Sequence, residues 1–320
     1  MNNSSLRKRI LIDTDPGVDD SMAILFAFCS PEVEVVGLTA VFGNSGSGNT
    51  TLNGLRLVEL AGKPEVPVAR GAETPLLRPF HGFGWRVHGH NGLGDVDFPL
   101  PQGKPDPRRA AQFMVDTIMA NPGEITLVPL GPLTNVALAV ALEPRIAENV
   151  KEVVIMGGAA NGKGNASGVA EANIRNDPEA AKIVFNAPWP VTMVGLDVTR
   201  KTIMTLDYIE TLKSAGNKFT DFIGQIVPHY IGFHKEYDNL DGFFVHDSSA
   251  LAYVIDPTLF TTQKMYIDVE TTSPTNFGHT VADWRHRGID MEPNVNVCVD
   301  VDSERFLRLY QERLMAGEVI

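Results

Sequence analysis

The chain has 320 residues, of which 43% are hydrophobic and 21% charged, and its formal net charge at pH 7 is −12. This composition is typical of a folded globular protein and excludes a disordered chain, and no uninterrupted apolar run is long enough to span a bilayer. The acidic balance opposes unspecific binding to nucleic acid or to anionic membranes, so we expect a small neutral substrate or a cation as partner.

The N-terminal segment carries basic residues but no apolar stretch of signal-peptide length. We therefore expect a flexible tail at residues 1–8 and a cytoplasmic location. The two cysteines, Cys29 and Cys298, lie far apart in apolar surroundings. This pattern predicts buried thiols, and it indicates neither a disulfide framework nor a cysteine metal site.

Apolar, β-branched runs alternate with helix-like stretches up to about Leu206. The strand-like runs are "RILIDT", "VEVVGLTAVFG", "EITLVPLG", "KEVVIMGG" and "PVTMVGLDV". The helix-like stretches are "DDSMAILFAFC", "TTLNGLRLVELAG", "LTNVALAVALE" and "DPEAAKIVF". Strands that are apolar on both faces belong to parallel sheets covered by helices. We therefore predict one α/β domain over residues 1–320, with a mostly parallel central sheet flanked by helices and a ligand site beyond the carboxyl ends of the strands.

The rest of the chain has a different pattern. We predict a helical stretch from Asp207 to about Tyr237, a loop, a short helix from Asp247, strand-like runs and a final helix, "DSERFLRLYQERLM". Residues 77–107 are rich in Gly, Pro and His and are too long and irregular for an ordinary connection. This segment is a candidate active-site loop.

Four aspartates, Asp13, Asp15, Asp19 and Asp20, follow the first predicted strand in "ILIDTDPGVDD". Helix capping would account for one or two of them. Crowded carboxylates repel one another, and relief at neutral pH requires raised pKa values or a bound cation. Carboxylate oxygens favour Ca²⁺ or Mg²⁺, and we expect Ca²⁺ because it accepts irregular sites with many oxygens. Taken alone, "DTDPG" also fits a haloacid-dehalogenase-type phosphatase.

Further polar clusters lie at predicted strand ends, in "AVFGN", "VPLGPLTN", "VIMGGAANGKGN", "AEAN" and "VHDSSA". Together with "DTDPGVDD", they resemble the nucleoside hydrolases of the inosine-uridine-preferring superfamily, from about Arg9 to the C-terminal helix. The resemblance implies a Ca²⁺-dependent enzyme that hydrolyses the N-glycosidic bond of ribonucleosides, releasing ribose and a purine or pyrimidine base. It also implies a homodimer or homotetramer.

The resemblance also implies roles for single residues. Asp15 matches a calcium ligand that acts as general base towards water, and Asp20 and Asp247 match further calcium ligands. Leu130 would offer its backbone carbonyl to the ion, and His246 matches a histidine near the departing base. The positions that match nucleoside contacts are Asp19, Asn44, His88, Met156, Asn165, Glu171 and Asn173.

The chemistry of these residue types agrees with the resemblance. Three ribose hydroxyls need several paired donors and acceptors, which Asn, Asp and Glu supply. Cleavage builds oxocarbenium charge on the sugar, which an acidic pocket stabilises. The ordinary pKa of a histidine suits proton donation by His246 near neutral pH.

Base preference stays open at this point. Trp85 is a candidate lid over the base, and Trp284 a candidate for stacking on a purine. One helix carries a further set of candidates for the wall of the base pocket, namely Tyr230, Phe233, His234 and Tyr237.

Two other classes of protein are alternatives to a nucleoside hydrolase. A phosphatase would need a lysine motif and a later acidic pair, which are not evident, and a non-catalytic nucleoside-binding protein would not need every calcium ligand.

Asp13 either orients the metal shell or satisfies backbone amides. Asp177, before Pro178, is predicted to be a helix N-cap without chemistry. The segment "GGAANGKG" is predicted to be a flexible loop, because Gly164 stands where a phosphate-binding loop has Ser or Thr.

Overall fold

The computed structural model describes residues 7–80, 82–285 and 291–319. The strands are β1 (Lys8–Thr14), β2 (Val33–Ala40), β3 (Val68–Arg70), β4 (Ile125–Pro129), β5 (Glu152–Met156), β6 (Val191–Val194), β7 (Ile203–Thr205), β8 (Gly242–Phe244), β9 (Phe260–Met265), β10 (Ile267–Val269), β11 (Thr280–Ala282) and β12 (Val295–Val301). The α-helices are α1 (Val18–Phe28), α2 (Ser47–Ala61), α3 (Trp85–His88), α4 (Ala110–Ala120), α5 (Thr134–Leu142), α6 (Ile146–Asn149), α7 (Ala172–Asn176), α8 (Pro178–Asn186), α9 (Leu196–Thr199), α10 (Leu206–Lys213), α11 (Lys218–Tyr237), α12 (Asp247–Ile255) and α13 (Ser303–Ala316).

The central sheet has eight strands in the order β3-β2-β1-β4-β5-β6-β12-β9. Every neighbouring pair is parallel except β12 and β9, which are antiparallel. The predicted α/β fold with a mostly parallel sheet is therefore confirmed. Two short antiparallel ribbons, β7-β8 and β10-β11, lie outside this sheet.

Helices cover both faces of the sheet. Ile10 and Ile12 of β1 pack into one apolar cluster with α1, α2, α11, α12 and α13. Leu11 packs into a second cluster with α4, α5 and α8. Successive side chains of a strand point to opposite faces, so two covered faces require a continuous apolar strand. This requirement explains why the buried part of β1 before Asp13, Ile10 to Ile12, is apolar.

Two predicted boundaries are wrong. β1 begins at Lys8, whose N–H donates to the Glu32 carbonyl at 2.9 Å, so this residue does not belong to the tail predicted at 1–8. Residues 1–6 of that tail lie outside the described residues. The helical stretch from Asp207 is interrupted, because Gly216 takes a φ of 59° and Asn217 then caps α11.

Parallel order brings the carboxyl ends of β1, β2, β4 and β5 to one edge of the sheet. Three residues separate the end of β1 from the start of α1, and the N-terminus of α1 faces the same edge. α12 begins at Asp247, directly after His246, and packs against α1 and β5. Among the described helices, none combines the length and the apolar character needed to cross a membrane.

Candidate active site

A cavity of about 620 Å³ lies beyond these strand ends. Most of the predicted site residues line it, namely Asp19, Asn44, His88, Leu130, Met156, Asn165, Glu171, Asn173, His246 and Asp247. Asp15 and Asp20 are buried beside it and do not line it. The candidate loop at 77–107 contributes Gly82, Phe83, Gly84, Val87 and His88 to the wall.

Asp20 is held by a ring of donors at the start of α1. Its carboxylate accepts hydrogen bonds from the Thr14 hydroxyl, from the Gly17 amide at 2.9 Å and from Asn44 Nδ2 at 2.8 Å. Burial raises the pKa of Asp20, and the neighbouring charge of Asp19 adds to this effect. The donors fix the carboxylate in one orientation at the positive end of the helix dipole.

Asp15 lies between two strand-end turns. The Asn44 amide donates to Asp15 Oδ2 at 2.7 Å. Gly43 and Gly131 flank the carboxylate so closely that a Cβ on either glycine would overlap it. Burial, followed by the charge of Asp20, raises the pKa of Asp15 well above its ordinary value. A carboxylate with a raised pKa is a stronger base than an exposed aspartate.

Tyr230 holds Asp19, and His88 lies beside both residues. The Tyr230 hydroxyl donates to Asp19 Oδ2 at 3.1 Å. His88 Nδ1 accepts a hydrogen bond from the Val18 amide at 3.2 Å and lies 3.7 Å from Asp19 Oδ1. Because a backbone N–H can only donate, neutral His88 carries its proton on Nε2. Burial lowers the pKa of His88 to about 4, so the ring is neutral at pH 7.

The acidic residues could hold a metal ion. Three carboxylate oxygens, one from each of Asp19, Asp20 and Asp247, lie within 4.8 Å of one another. Burial raises the pKa of Asp247 well above its ordinary value, with Asp19 and Asp20 as the next causes. Among the described residues, no lysine or arginine forms an ion pair with these carboxylates. Buried carboxylates without a cationic partner fit a divalent cation that prefers oxygen ligands.

This group differs in one member from the predicted ligand set, since Asp19 stands in it where Asp15 was expected. Asp15 is hydrogen-bonded to a member of the group, since its amide donates to Asp20 Oδ1 at 3.2 Å, and its role as a ligand stays a prediction. The carbonyl of Leu130, another predicted ligand, accepts a hydrogen bond from Asn173 Nδ2 at 2.6 Å. A carbonyl oxygen has a second lone pair, so this bond leaves one ligand position.

Amides and a carboxylate line the opposite wall. Glu171 caps α7, and its oxygens accept from the amides of Asn173 at 2.9 Å, Gly158 at 3.0 Å and Ile174 at 3.2 Å. Asn173 Nδ2 donates to the Leu130 and Met156 carbonyls. Asn165 Oδ1 accepts from the Ala172 amide at 2.9 Å. The side chains are thus oriented before any ligand arrives.

Aromatic residues of α11, which the sequence offered as candidates only, form a third wall of the cavity. Tyr230, Phe233, His234 and Tyr237 all line the cavity, and Phe233 stacks on Tyr237 with ring centroids 4.6 Å apart. Asp238 Oδ2 lies 2.7 Å from His234 Nδ1. A neutral His234 that donates its Nδ1 proton to this carboxylate keeps Nε2 as a hydrogen-bond acceptor.

The two predicted tryptophans do not line this cavity. Trp85 is 52% exposed and packs edge-on against His90, and Phe83 of the same loop lines the cavity instead. Trp284 Nε1 donates to the Ala160 carbonyl at 2.8 Å. The role of Trp85 as a candidate lid over the base stays a prediction, since in this structure the residue does not line the cavity. The neighbouring His81 and His286 lie outside the described residues.

His246 lies at the end of the cavity beside Asp247. Its Nδ1 is 2.8 Å from the Thr199 hydroxyl. Burial lowers the pKa of His246 to about 3, with the charges of His234 and Arg200 as further causes. The expectation of an ordinary histidine pKa is therefore wrong for the free protein, because a buried imidazole loses the hydration that stabilises its charged form.

Two aspartates outside the cavity have structural partners. Asp13 Oδ1 accepts from Thr39 Oγ1 at 2.7 Å and from Asn135 Nδ2 at 2.8 Å, so its partners are side chains of neighbouring elements and not backbone amides. Asp177 caps α8 through the Ala180 amide, which confirms the predicted N-cap.

Sequence reasoning missed Phe244, Arg175 and Arg200, which also line the cavity. Arg175 stands one helical turn after Glu171, a spacing that places both residues on one side of α7. That spacing was the available signal for Arg175. Nothing in the sequence pattern indicated the position of Arg200.

Comparisons with known proteins agree with this geometry. The family model described as inosine-uridine preferring nucleoside hydrolase matches residues 10–308. The inosine-uridine preferring nucleoside hydrolase of Crithidia fasciculata is 41% identical over 309 residues, covering 96% of this chain and 97% of that protein. A solved plant nucleoside hydrolase superimposes with a TM-score of 0.92 at 37% identity, covering 97% and 99% of the two chains.

A solved purine-preferring ribonucleoside hydrolase from Gardnerella vaginalis has a TM-score of 0.91 at 35% identity, with the same coverage of 97% and 99%. These matches support neither a phosphatase nor a non-catalytic binding protein. The protein is a ribonucleoside hydrolase, an enzyme that cleaves the N-glycosidic bond of ribonucleosides. The chain belongs to the inosine-uridine preferring nucleoside hydrolase family.

Proposed function

We propose that the protein hydrolyses ribonucleosides with the help of Ca²⁺, held by Asp15, Asp20, Asp247 and the Leu130 carbonyl. The observation that carries the proposal is a group of buried aspartates at one sheet edge, without a lysine or arginine partner among the described residues. Two of these proposed ligands, Asp20 and Asp247, also belong to the group of three aspartates whose oxygens lie within 4.8 Å of one another. When bound, the ion lowers the pKa of a water molecule and offsets the repulsion between the carboxylates.

Asp15 is the general base of the proposed reaction. The Asn44 amide donates to Oδ2 at 2.7 Å and so fixes the orientation of this carboxylate, and the other oxygen, Oδ1, is proposed to take up a proton from water. The water oxygen then bonds to C1′ of the ribose while the C1′–N bond breaks. The surrounding carboxylates stabilise the positive charge that develops on the sugar.

The ribose hydroxyls are proposed to bind Asp19, Asn44, Asn165, Glu171 and Asn173, with Met156 and His88 packed beside the sugar. Free hydrogen-bonding groups support this assignment. Asn173 donates through Nδ2 to protein carbonyls, so its Oδ1 remains to accept from a hydroxyl. Asn165 accepts through Oδ1, so its Nδ2 remains to donate.

His246 is proposed to assist departure of the base. With the Thr199 hydroxyl donating to Nδ1, the neutral ring carries its proton on Nε2. Nε2–H then donates a hydrogen bond to the base as negative charge develops on it. This assignment replaces donation from a charged imidazolium, which the lowered pKa disfavours.

The proposed substrates include purine and pyrimidine nucleosides. The names of the relatives cover inosine, uridine and purine preference. The aromatic residues of α11 offer flat apolar surface that suits either kind of ring. Offering inosine, adenosine, guanosine, uridine and cytidine in turn, and measuring the reducing sugar released, tests both the activity and the preference.

A role in nucleoside catabolism, including purine salvage, follows from such an activity. The homodimer or homotetramer and the cytoplasmic location expected from the sequence are part of the same proposal. Leu138 and Leu142 of α5 and Ile183 of α8 are exposed apolar side chains on neighbouring helices and support self-association. Analytical ultracentrifugation of the purified protein would distinguish monomer, dimer and tetramer.

A further inference from the structure

One histidine of the cavity wall has a ring nitrogen without a hydrogen-bond partner. His234, on α11, is only 4% exposed and lines the cavity. Its Nδ1 lies 2.7 Å from Asp238 Oδ2, one helical turn later. Its Nε2 is buried, and the part of the chain that the structure describes offers this atom no hydrogen-bond partner. Since Asp238 occupies one ring nitrogen, the other remains for a group that the described residues do not supply.

Asp238 fixes the position of the proton in the His234 ring. A carboxylate accepts hydrogen bonds and donates none, so neutral His234 carries its proton on Nδ1, and Nε2 is an acceptor. Burial lowers the pKa of His234, and the bond to Asp238 offsets part of this effect, so the ring is neutral at pH 7. The missing partner of Nε2 is therefore a hydrogen-bond donor.

The rings around His234 supply no such donor. Tyr230, Phe233 and Phe244 meet its ring edge-on, with centroid distances of 4.7, 5.4 and 5.6 Å. Tyr230 carries the single hydroxyl among these three rings, and that hydroxyl donates to Asp19 Oδ2 at 3.1 Å. A buried acceptor without a donor has lost its hydration and gained nothing in exchange, which destabilises the free protein. A ligand in the cavity that brings a donor to Nε2 removes this penalty.

His234 lies beyond the residues proposed to act at the glycosidic bond. The Phe244 ring lies 6.1 Å from the His246 ring on one side and 5.6 Å from the His234 ring on the other. Tyr230 spans a similar gap, since its hydroxyl binds Asp19 and its ring packs against His234. A base whose glycosidic nitrogen is close to His246 therefore extends past Phe244 towards His234. The far edge of the base, and not the sugar, meets Nε2.

Purine bases differ in the hydrogen-bonding group at this far edge. N1 is the ring nitrogen farthest from N9, which carries the ribose. In hypoxanthine and guanine, N1 bears a proton beside the 6-oxo group, whereas in adenine N1 bears a lone pair. An acceptor at this edge pairs with a 6-oxopurine but leaves two lone pairs facing each other with adenine. Sites that leave a buried polar group unpaired reject the wrong ligand more strongly than apolar pockets do.

We propose that His234, held in one tautomer by Asp238, determines base specificity by accepting a hydrogen bond at Nε2 from N1–H of a 6-oxopurine; this rests on the proposed function of the same site. Inosine and guanosine are thereby favoured over adenosine. His234 makes and breaks no covalent bond in this role. The proposed role of His246 is separate, because His246 offers a donor to the base and His234 an acceptor. Asp238 is a positioning residue that acts through the ring of His234.

The test measures kcat/KM for inosine, adenosine and 1-methylinosine, which keeps the 6-oxo group but has no proton on N1. His234→Phe keeps an aromatic ring without nitrogen. In this variant the ratio of kcat/KM for inosine to that for adenosine is expected to fall about tenfold, the scale of one hydrogen bond. The preference for inosine over 1-methylinosine should narrow as well. Asp238→Ala, which leaves the ring proton free to move to Nε2, should lower the same ratios.

His90→Phe is the matched control. His90 Nδ1 lies 3.3 Å from Asp95 Oδ2, and neither residue lines the cavity, so the same substitution in a second His–Asp pair should leave every ratio unchanged. An unchanged ratio of inosine to adenosine in His234→Phe would overturn the proposal. Equal losses on both substrates would assign His234 to structure or to a bond with His246. A change confined to the ratio of uridine to cytidine would contradict the placement of N1 at Nε2.

Binding of the free bases separates this proposal from the proposed reaction. Titration calorimetry with hypoxanthine and adenine needs no turnover and assumes neither Ca²⁺ nor Asp15. Hypoxanthine is expected to bind about tenfold more tightly than adenine to the wild-type protein, and with similar affinity to His234→Phe. This difference would stand even if no nucleoside were hydrolysed. Equal affinities of the two bases for the wild-type protein would overturn the role of His234 whatever the activity.

Discussion

Asn44 holds Asp15 through its backbone amide, which donates to Oδ2 at 2.7 Å. The side chain of the same residue donates to Asp20 Oδ2 at 2.8 Å. Asn44 follows β2, and both aspartates follow β1, its parallel neighbour. One residue thus sets the distance between the proposed base and a proposed metal ligand, so small changes around Asp15 should have large effects on activity.

Removal of calcium is expected to abolish hydrolysis. The purified protein should contain Ca²⁺ by elemental analysis, and a chelator should release it. Added Ca²⁺ should then restore activity and raise Tm, because a ligand that binds only the folded state stabilises it. Full activity in protein shown to be metal-free would contradict the assignment.

Gly131→Ala is expected to lower kcat by roughly 10², the scale of a small misplacement of a catalytic group. A Cβ at Gly131 would overlap Asp15 Oδ1. Gly232→Ala in α11 is the matched control, since its Cβ would meet no heavy atom within 4 Å. Steady-state kinetics should separate the two variants, and equal activity in both would show that Asp15 tolerates displacement.

His246→Ala is expected to slow hydrolysis of inosine or uridine by roughly 10². p-Nitrophenyl riboside should be affected far less, because its leaving group needs no proton. Thr199→Val, which removes the hydroxyl 2.8 Å from His246 Nδ1, should give a smaller loss with the same dependence on the leaving group. Equal losses on both substrates would assign His246 to binding or structure.

The sequence predicted the sheet because β1, β2, β4, β5 and β6 are apolar on both faces, a pattern that belongs to buried parallel strands. The break before Asn217 was not predicted, although Gly216 and Asn217 are residue types that end and begin helices. A single glycine in the left-handed region and an Asn cap ended that helix. Tertiary packing decides between one continuous helix and two shorter ones, since α10 and α11 each pack against α13.

Residues of the site were predictable where they follow strands, as Asn44 and Asp247 show. The lowered pKa of His246 was not, because it depends on how deeply the ring is buried in the fold and on the charge of the nearby His234. The exposed positions of Trp85 and Trp284 were unpredictable for a similar reason. Trp85 begins the four-residue helix α3 inside a long loop, and Trp284 lies in a connection that follows β11, so no regular apolar pattern marks which side of either tryptophan is buried.

Asp13→Asn is expected to flatten the dependence of stability on pH. Burial raises the pKa of Asp13 from 3.8 to about 7. The folded state therefore binds a proton that the unfolded state releases, so the contribution of Asp13 is full below about pH 4 and is lost as pH rises through 7. Denaturant unfolding at pH 5 and pH 8 should show a smaller difference in the variant than in wild type. An unchanged difference would exclude Asp13 as the source.

Asp15→Asn tests the central claim most directly, because it removes the base while keeping an oxygen that can accept from the Asn44 amide. Turnover of inosine or uridine is measured in protein whose bound Ca²⁺ is quantified in the same sample. We expect kcat to fall by on the order of 10³ or more with calcium still bound. Near-normal turnover in the calcium-loaded variant would contradict the assignment of Asp15 as the general base.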